Sequence, residues 1–229
     1  MVSHILKHCM PFLNRNRTVK LSAYTPIREL KLNNCLKIGH SIHESFIPDI
    51  EKPRSKLCYA YVKGVTQGIT MFSPCDFQVT RTPERLEYKF PDGIGKYFGT
   101  RPHNNMTHVG NNELYVTKVN FPIAVVCEES HEWILCSHTF NFSGMNILSG
   151  IDDYSLSHGL DLFNVTPQNT DYTVKAGTPL CYIFLKSEKD IELDFQWSID
   201  KWKELEDQRV HLHFKADALR RHILRKKQG

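Results

Sequence analysis

Between Asn146 and Trp197 the chain has almost no room for anything but short strands. Apolar runs at Leu160–Val165, Leu180–Leu185 and Glu192–Trp197 are separated by turn-forming stretches, among them Gly150-Ile-Asp-Asp-Tyr154 and Lys175-Ala-Gly177. Each run is shorter than the ten to twelve residues that a packed helix needs, and each is rich in β-branched or aromatic residues. Glu192-Leu-Asp-Phe-Gln-Trp197 alternates polar and apolar residues, the period of a strand with one wet face.

The same texture extends towards the N-terminus. Candidate strands lie at Gly68–Phe72, Phe77–Thr80, Arg85–Phe90, Leu114–Val119, Ile123–Cys127, Trp133–Cys136, Asn146–Leu148 and Asp171–Val174. Turn residues recur at close intervals between them, which favours a sandwich or closed barrel over alternating strands and helices. The expectation is a mainly β domain over residues 57–197: a β-sandwich or jelly roll, or a barrel. Gly93–Gly110 reads as a long loop joining two hairpins. Its Gly-x-Gly is followed by neither a helix nor a Lys-Ser/Thr ending, so it makes a poor phosphate cradle.

Residues 1–56 contain Pro11, Pro26, Pro48 and Pro53, which interrupt any long regular element. They are expected to form an extended N-terminal arm with one short element near Arg28–Leu36. Residues 198–229 are expected to form a helix capped by Ser198. Trp202, Leu205, Arg209, Leu212, Ala216, Leu219 and Ile223 follow alternating steps of three and four, a heptad seam interrupted by Arg209. About 28 helical residues would extend roughly 42 Å.

Charge is unevenly distributed. The whole chain carries +4, whereas residues 201–229 alone carry +5. Arg220, Arg221, Arg225, Lys226 and Lys227 form a basic surface that suits the negative end of a helix dipole. Glu204, Glu206, Asp207 and Asp217 interleave with the basic residues, and no aromatic stacking platform accompanies them. A partner helix along Trp202, Leu205, Leu212, Leu219 and Ile223 is therefore favoured over a nucleic acid, although the seam can also pack against the chain's own sheet.

No apolar run approaches the ~20 residues needed to cross a bilayer, and the first residues lack the pattern of a secretory signal. The seven cysteines are odd in number and scattered, which indicates neither a disulfide framework nor a zinc knuckle and favours a reducing compartment. Twelve histidines raise the question of a metal. His211 and His213 fall two apart on the predicted helix and do not share a face. His40 with His43, His103 with His108, and His131 with His138 do not form a ligand set either, so no metal and no other cofactor is expected.

The strongest candidate site is Asp152, Asp153 and Tyr154. Adjacent carboxylates beside a phenol can bind a hydroxylated or cationic ligand, or act as a base if one pKa is raised. The structural alternative is that Gly150 makes the turn and the two acids satisfy backbone N–H groups.

Two resemblances attach to these residues. Lys56-Leu-Cys58, Ser73-Pro-Cys-Asp76, Leu148-Ser-Gly-Ile-Asp152 and Ala176-Gly-Thr-Pro-Leu-Cys-Tyr-Ile183, in that order, resemble a family of uncharacterised proteins from tailed bacteriophages, including cyanophages. This likeness spans about residues 56–186, and its motifs are short. It implies a viral setting, in the host cytoplasm or the virion, and no particular mechanism. Ser149-Gly-Ile-Asp-Asp-Tyr154 followed by Lys175-Ala-Gly177 also resembles the order of motifs in the dUTPase and dCTP-deaminase β fold. That likeness implies a β-clip barrel, with Asp152 or Asp153 activating water and Tyr154 beneath a base. The phosphate-binding motif and the Gly-rich closing arm of those enzymes are missing, and Arg101, Lys118 and Lys175 are the nearest substitutes. The expectation is a non-enzymatic phage binding or assembly protein. It would contact a phage or host protein, or further copies of itself, through its arm and helix. A nucleotide hydrolase is the alternative.

Overall fold

The computed structural model describes residues 18–39, 68–82, 86–102, 108–109, 112–138, 144–167, 171–187 and 189–209. The chain is mainly β, with three sheets arranged in a sandwich-like fold. In chain order the elements are β1 (Thr18–Thr25), the single-turn helix α1 (Leu32–Cys35), β2 (Leu36–Ile38), β3 (Ile69–Phe72), β4 (Phe77–Arg81) and β5 (Leu86–Lys89). A 3-10 turn at Gly95–Tyr97 precedes β6 (Gly99–Pro102), β7 (His108–Val109), β8 (Asn112–Cys127) and β9 (Trp133–Ser137). Then come β10 (Asn146–Ile147), β11 (Gly150–Asp152), β12 (Gly159–Pro167), β13 (Tyr172–Val174), β14 (Pro179–Leu185) and β15 (Asp190–Trp197). A helix over 199–209, α2, follows directly.

The largest sheet runs β10-β12-β8-β1-β15, with β6 and β7 also pairing with β8. The second runs β11-β9-β14-β3-β2, and the third is β13-β4-β5. Apolar residues from all three sheets meet in one core. Leu21, Ile123 and Leu162 enter it from the first sheet, Ile69, Trp133 and Ile183 from the second, and Phe77 and Val174 from the third. Facing sheets that share a single dry interior are the defining arrangement of a sandwich.

Two parts of the sequence reading change. Residues 18–25, expected within an extended arm, form a strand at the interior of the largest sheet, antiparallel to β8 and parallel to β15. Val19, Leu21 and Ala23 point into the core while Lys20 faces solvent, so this strand alternates as cleanly as any in the chain. The two strands expected at 114–119 and 123–127 are one strand, β8. Pro122 lies within it, opposite the register shift between Gly159 and Asp161 of β12. Proline lacks an N–H, so it is tolerated inside a sheet where the pairing is already interrupted. On its other side β8 pairs with β6 up to Asn120 and with β1 from Ala124, and Pro122 falls between the two.

The expected loop over 93–110 contributes β6 to the largest sheet and stacks Phe98 on Phe90 at 4.2 Å between ring centres. The element expected near 28–36 is α1 and the start of β2. Cys35, Cys75, Cys127, Cys136 and Cys181 are all free thiols. No helix among the described residues is long and apolar enough to cross a membrane.

Candidate functional site

The Gly150–Tyr154 segment is where the chain crosses between sheets. β11 pairs with β9 at the edge of the second sheet, and after six further residues β12 begins in the first. The crossing is tied to β8 by two backbone bonds: Cys127 N–H donates to the Tyr154 carbonyl at 3.0 Å, and Val125 N–H to the His158 carbonyl at 2.8 Å. These anchors turn the Tyr154 ring inward. It is 0% exposed and packs 5.5 Å from the Trp133 ring. A side chain enclosed in the core offers no face to a nucleobase. The role that the dUTPase likeness implies for Tyr154 is therefore not available in this fold.

The two acids hold the turn. Asp153 Oδ1 accepts from Ser155 N–H at 2.9 Å, and its other oxygen accepts from the Ser130 hydroxyl. Its carbonyl accepts from Leu156 N–H and Ser157 N–H. Burial acts to raise the Asp153 pKa, but the bonds donated by Ser130, Ser155 and the His131 backbone outweigh it and hold the carboxyl below the usual aspartate range. Asp152 Oδ1 accepts from Asp153 N–H at 2.9 Å. Burial shifts Asp152 the other way, above its ordinary value, against the bonds from Asp153 and Ser157. Neighbouring acids thus titrate in opposite directions, because one is wrapped in donors and the other is mainly desolvated.

Around the same turn, large apolar side chains face outward. Leu148 is 41% exposed, Ile151 66% and Leu156 58%. Among the described residues, only Ile38 and Trp197 are comparably exposed large hydrophobics. The two acids are engaged by donors of the turn and of Ser130 while the large apolar side chains face outward, the reverse of a substrate-binding pocket.

Asp152 also borders a charged cluster that sequence reasoning did not identify. Asp161 on β12 pairs with Lys118 on β8 at 2.6 Å and with Arg209 on α2 at 2.7 Å, and Arg209 also donates to Glu206. Leu205 is buried in the chain's own body, and Trp202 packs edge-on against Tyr97 at 5.9 Å. Trp202, Leu205 and Arg209, which follows them in the seam, therefore face the chain's own body. Leu212, Leu219, Ile223, Arg220, Arg221, Arg225, Lys226 and Lys227 lie outside the described residues.

Of the three substitutes for a phosphate motif, Arg101 on β6 and Lys118 on β8 stand opposite one another in register, and Lys175 is held apart from them by Asp76. Lys118 belongs to the Asp161 cluster, whereas Lys175 pairs with Asp76 at 2.9 Å. Arg101 is exposed on β6. Asp76 also accepts from Ala176 N–H at 2.8 Å, and Gly177 follows at φ 79°, a conformation that favours glycine. The Lys-x-Gly turn is thus a clamped β-turn. It forms one wall of a cleft of about 490 Å³, with Glu29, Lys31, Asn34, Lys37 and Phe72 on the others. Lys37 reaches over the Phe72 ring at 5.4 Å. The cleft has mixed charge, and none of its lining residues is among the described ones that bury an unsatisfied side-chain polar atom.

No set of three or more His, Cys, Asp or Glu side chains among the described residues is arranged to hold a metal ion. No protein-family model matches the chain, and no curated protein and no solved structure matches it.

Proposed function

We propose that this chain is a non-enzymatic bacteriophage binding or assembly protein that joins other subunits through the apolar rim of β11 and through its chain ends. One observation carries the reading: at the best candidate site the acids and the tyrosine are consumed internally, while Leu148, Ile151 and Leu156 are presented to solvent. β11 is a short strand at a sheet edge, and exposed apolar residues at an edge serve association better than catalysis. The basic C-terminal segment and the Leu212, Leu219 and Ile223 seam positions add a second contact region, and the phage setting comes from the sequence resemblance. In this reading the protein acts in the host cytoplasm or in the assembled virion, and its partner is a phage or host protein or a further copy of itself.

Light scattering across a range of concentrations tests the self-association form directly. The wild-type chain is expected to form a species larger than a monomer. Ile151→Glu with Leu156→Glu should weaken it by about tenfold or more, consistent with the loss of ~1.4 kcal/mol or more of contact energy. Leu219→Glu with Ile223→Glu tests the C-terminal segment in the same assay. Magnesium-dependent turnover of any nucleoside triphosphate, lost in both Asp152→Asn and Asp153→Asn, would overturn the non-enzymatic reading.

A further inference from the structure

At the edge of the second sheet opposite β11, the cleft of about 490 Å³ holds charge that the fold leaves unmatched. Lys31, just before α1, and Lys37, on β2, both line it. Lys20, Lys118, Lys175, Lys186 and Lys201 each pair with a carboxylate. Neither cleft lysine pairs with a carboxylate among the described residues, although Glu29 lines the same cleft. Two lysines against one glutamate leave the cleft with a net charge of +1.

The charge is also held in place. Lys37 is half-buried, and its ammonium lies 5.4 Å from the centre of the Phe72 ring. A ring face attracts a cation without neutralising it, so Lys37 is positioned and still short of a counter-charge. Lys37 and Phe72 stand on the paired strands β2 and β3, which fix their separation. The wall formed by the Lys175–Gly177 turn is as firm. Ser73 N–H donates to the Thr178 carbonyl and Gly177 N–H to the Ser73 carbonyl, both at 2.8 Å. A Cβ on Gly177 would meet nothing within 4 Å, so the turn leaves open space beside it.

The lining selects a ligand by its chemistry. Unmatched ammonium groups favour an oxyanion, and the charge-assisted bonds they donate are the strong ones. Phe72, with Leu30 and Pro74, offers an apolar surface next to them. The Asn34 side chain bonds to no described residue and adds one further donor and acceptor. Apolar walls carrying a few polar groups, at this volume, are the usual form of a small-molecule site.

We propose that this cleft binds a small organic anion, a carboxylate or phosphate ester carried on a flat apolar body, with the oxyanion drawn to Lys37 and Lys31 and the body against Phe72. The site is independent of subunit joining. The cleft and β11 lie at opposite edges of one sheet, so either assignment can fail without the other.

Amide NMR shifts of Lys37, Phe72 and Gly177 in the full chain, titrated with benzoate and with phenyl phosphate, read the site. At least one of the two should give saturable shifts with a Kd on the order of 1 mM, the strength open to so small a ligand. The tighter one identifies the head group. Inorganic phosphate lacks the ring and benzyl alcohol lacks the charge, and each should bind at least about fivefold more weakly. Lys37→Met should weaken the tighter probe about tenfold. Lys96→Met, which removes a cation held over Tyr97 outside the cleft, should leave it unchanged. Ala176→Trp, at an exposed lining position, keeps both lysines but fills the space and should abolish binding. The proposal is overturned by an absence of saturable shifts with both aromatic anions, or by inorganic phosphate binding as tightly as they do. Unchanged affinity in Lys37→Met or Ala176→Trp, or an equal loss in Lys96→Met, overturns it as well. If Lys37→Met does not fold, Ala176→Trp and the ringless and uncharged compounds decide.

Discussion

Asn164, wholly buried on β12, donates its side-chain amide to the Tyr88 hydroxyl on β5 at 2.8 Å, a bond that joins the largest sheet to the smallest. The same amide nitrogen donates to the Tyr172 hydroxyl on β13 at 2.8 Å, and its oxygen accepts from Asn146 N–H on the edge strand β10. One side chain thus fastens three neighbouring strands. Burial pushes the Tyr88 phenol well above its ordinary pKa, which keeps it neutral and able to hydrogen-bond.

Asn164→Ala should therefore act far beyond β12. It removes three bonds, although the Tyr88 hydroxyl keeps its bonds to Thr117 and Tyr172. Urea unfolding should show a loss of roughly 2–4 kcal/mol, since each of the three bonds contributes about 0.5–1.5 kcal/mol. A loss under ~0.5 kcal/mol would mean that the sheets are not joined here.

Gly159→Ala should weaken the helix contact through Arg209. The added methyl competes with the guanidinium for space, so Arg209 must move away from Asp161. We expect a cost of about 1–3 kcal/mol, in the range for overpacking. The signature is coupling: in an Arg209→Ala background the cost should shrink by more than ~0.5 kcal/mol, beyond the error of simple additivity. Additive costs would place the strain elsewhere.

Tyr154 separates a core role from a catalytic one. Its hydroxyl is buried and has no hydrogen-bond partner among the described residues. Tyr154→Phe should therefore unfold at the same temperature as the wild type or slightly higher. Tyr154→Ala should lose about 3–5 kcal/mol, the range for emptying a large aromatic site. A marked destabilisation by Tyr154→Phe would contradict this account.

His138 packs on the Tyr182 ring at 4.1 Å, and burial lowers its pKa from 6.5 to about 4. The unfolded chain then binds the proton more readily than the folded one. Stability is complete above pH 6.5 and declines as pH falls towards 4. His138→Phe should flatten this part of the profile, a difference on the order of 2 kcal/mol at pH 4. It is read by comparing melting curves of the two proteins at pH 7 and pH 4.5. Parallel profiles would assign the acid sensitivity to another group.

The strand pattern was legible because alternation is local. β14 and β15 fall within one or two residues of their expected limits. The strands expected at 114–119 and 123–127 are one strand, because the irregular pairing with β12 accommodates Pro122 between them. β1 was merged with the Pro-containing stretch that follows it, although Thr18–Thr25 alternates regularly. The acids at 152 and 153 were recognised as turn residues or a site. Choosing between those roles required the donors at Ser130 and Ser155, 23 residues upstream and two downstream.

Arg209 marks the division most clearly. As a sequence feature it is a fault in a heptad seam. In the fold it is the buried anchor of the helix, paired with Asp161 forty-eight positions away. The order of residues decided which segments extend, which turn and where the charge collects, because those properties depend on neighbours along the chain. The sheet into which each strand was placed, the inward direction of Tyr154 and the partners of Arg209 were decided only in three dimensions. Burial and ion pairing depend on groups that approach each other only after the chain has closed around its core.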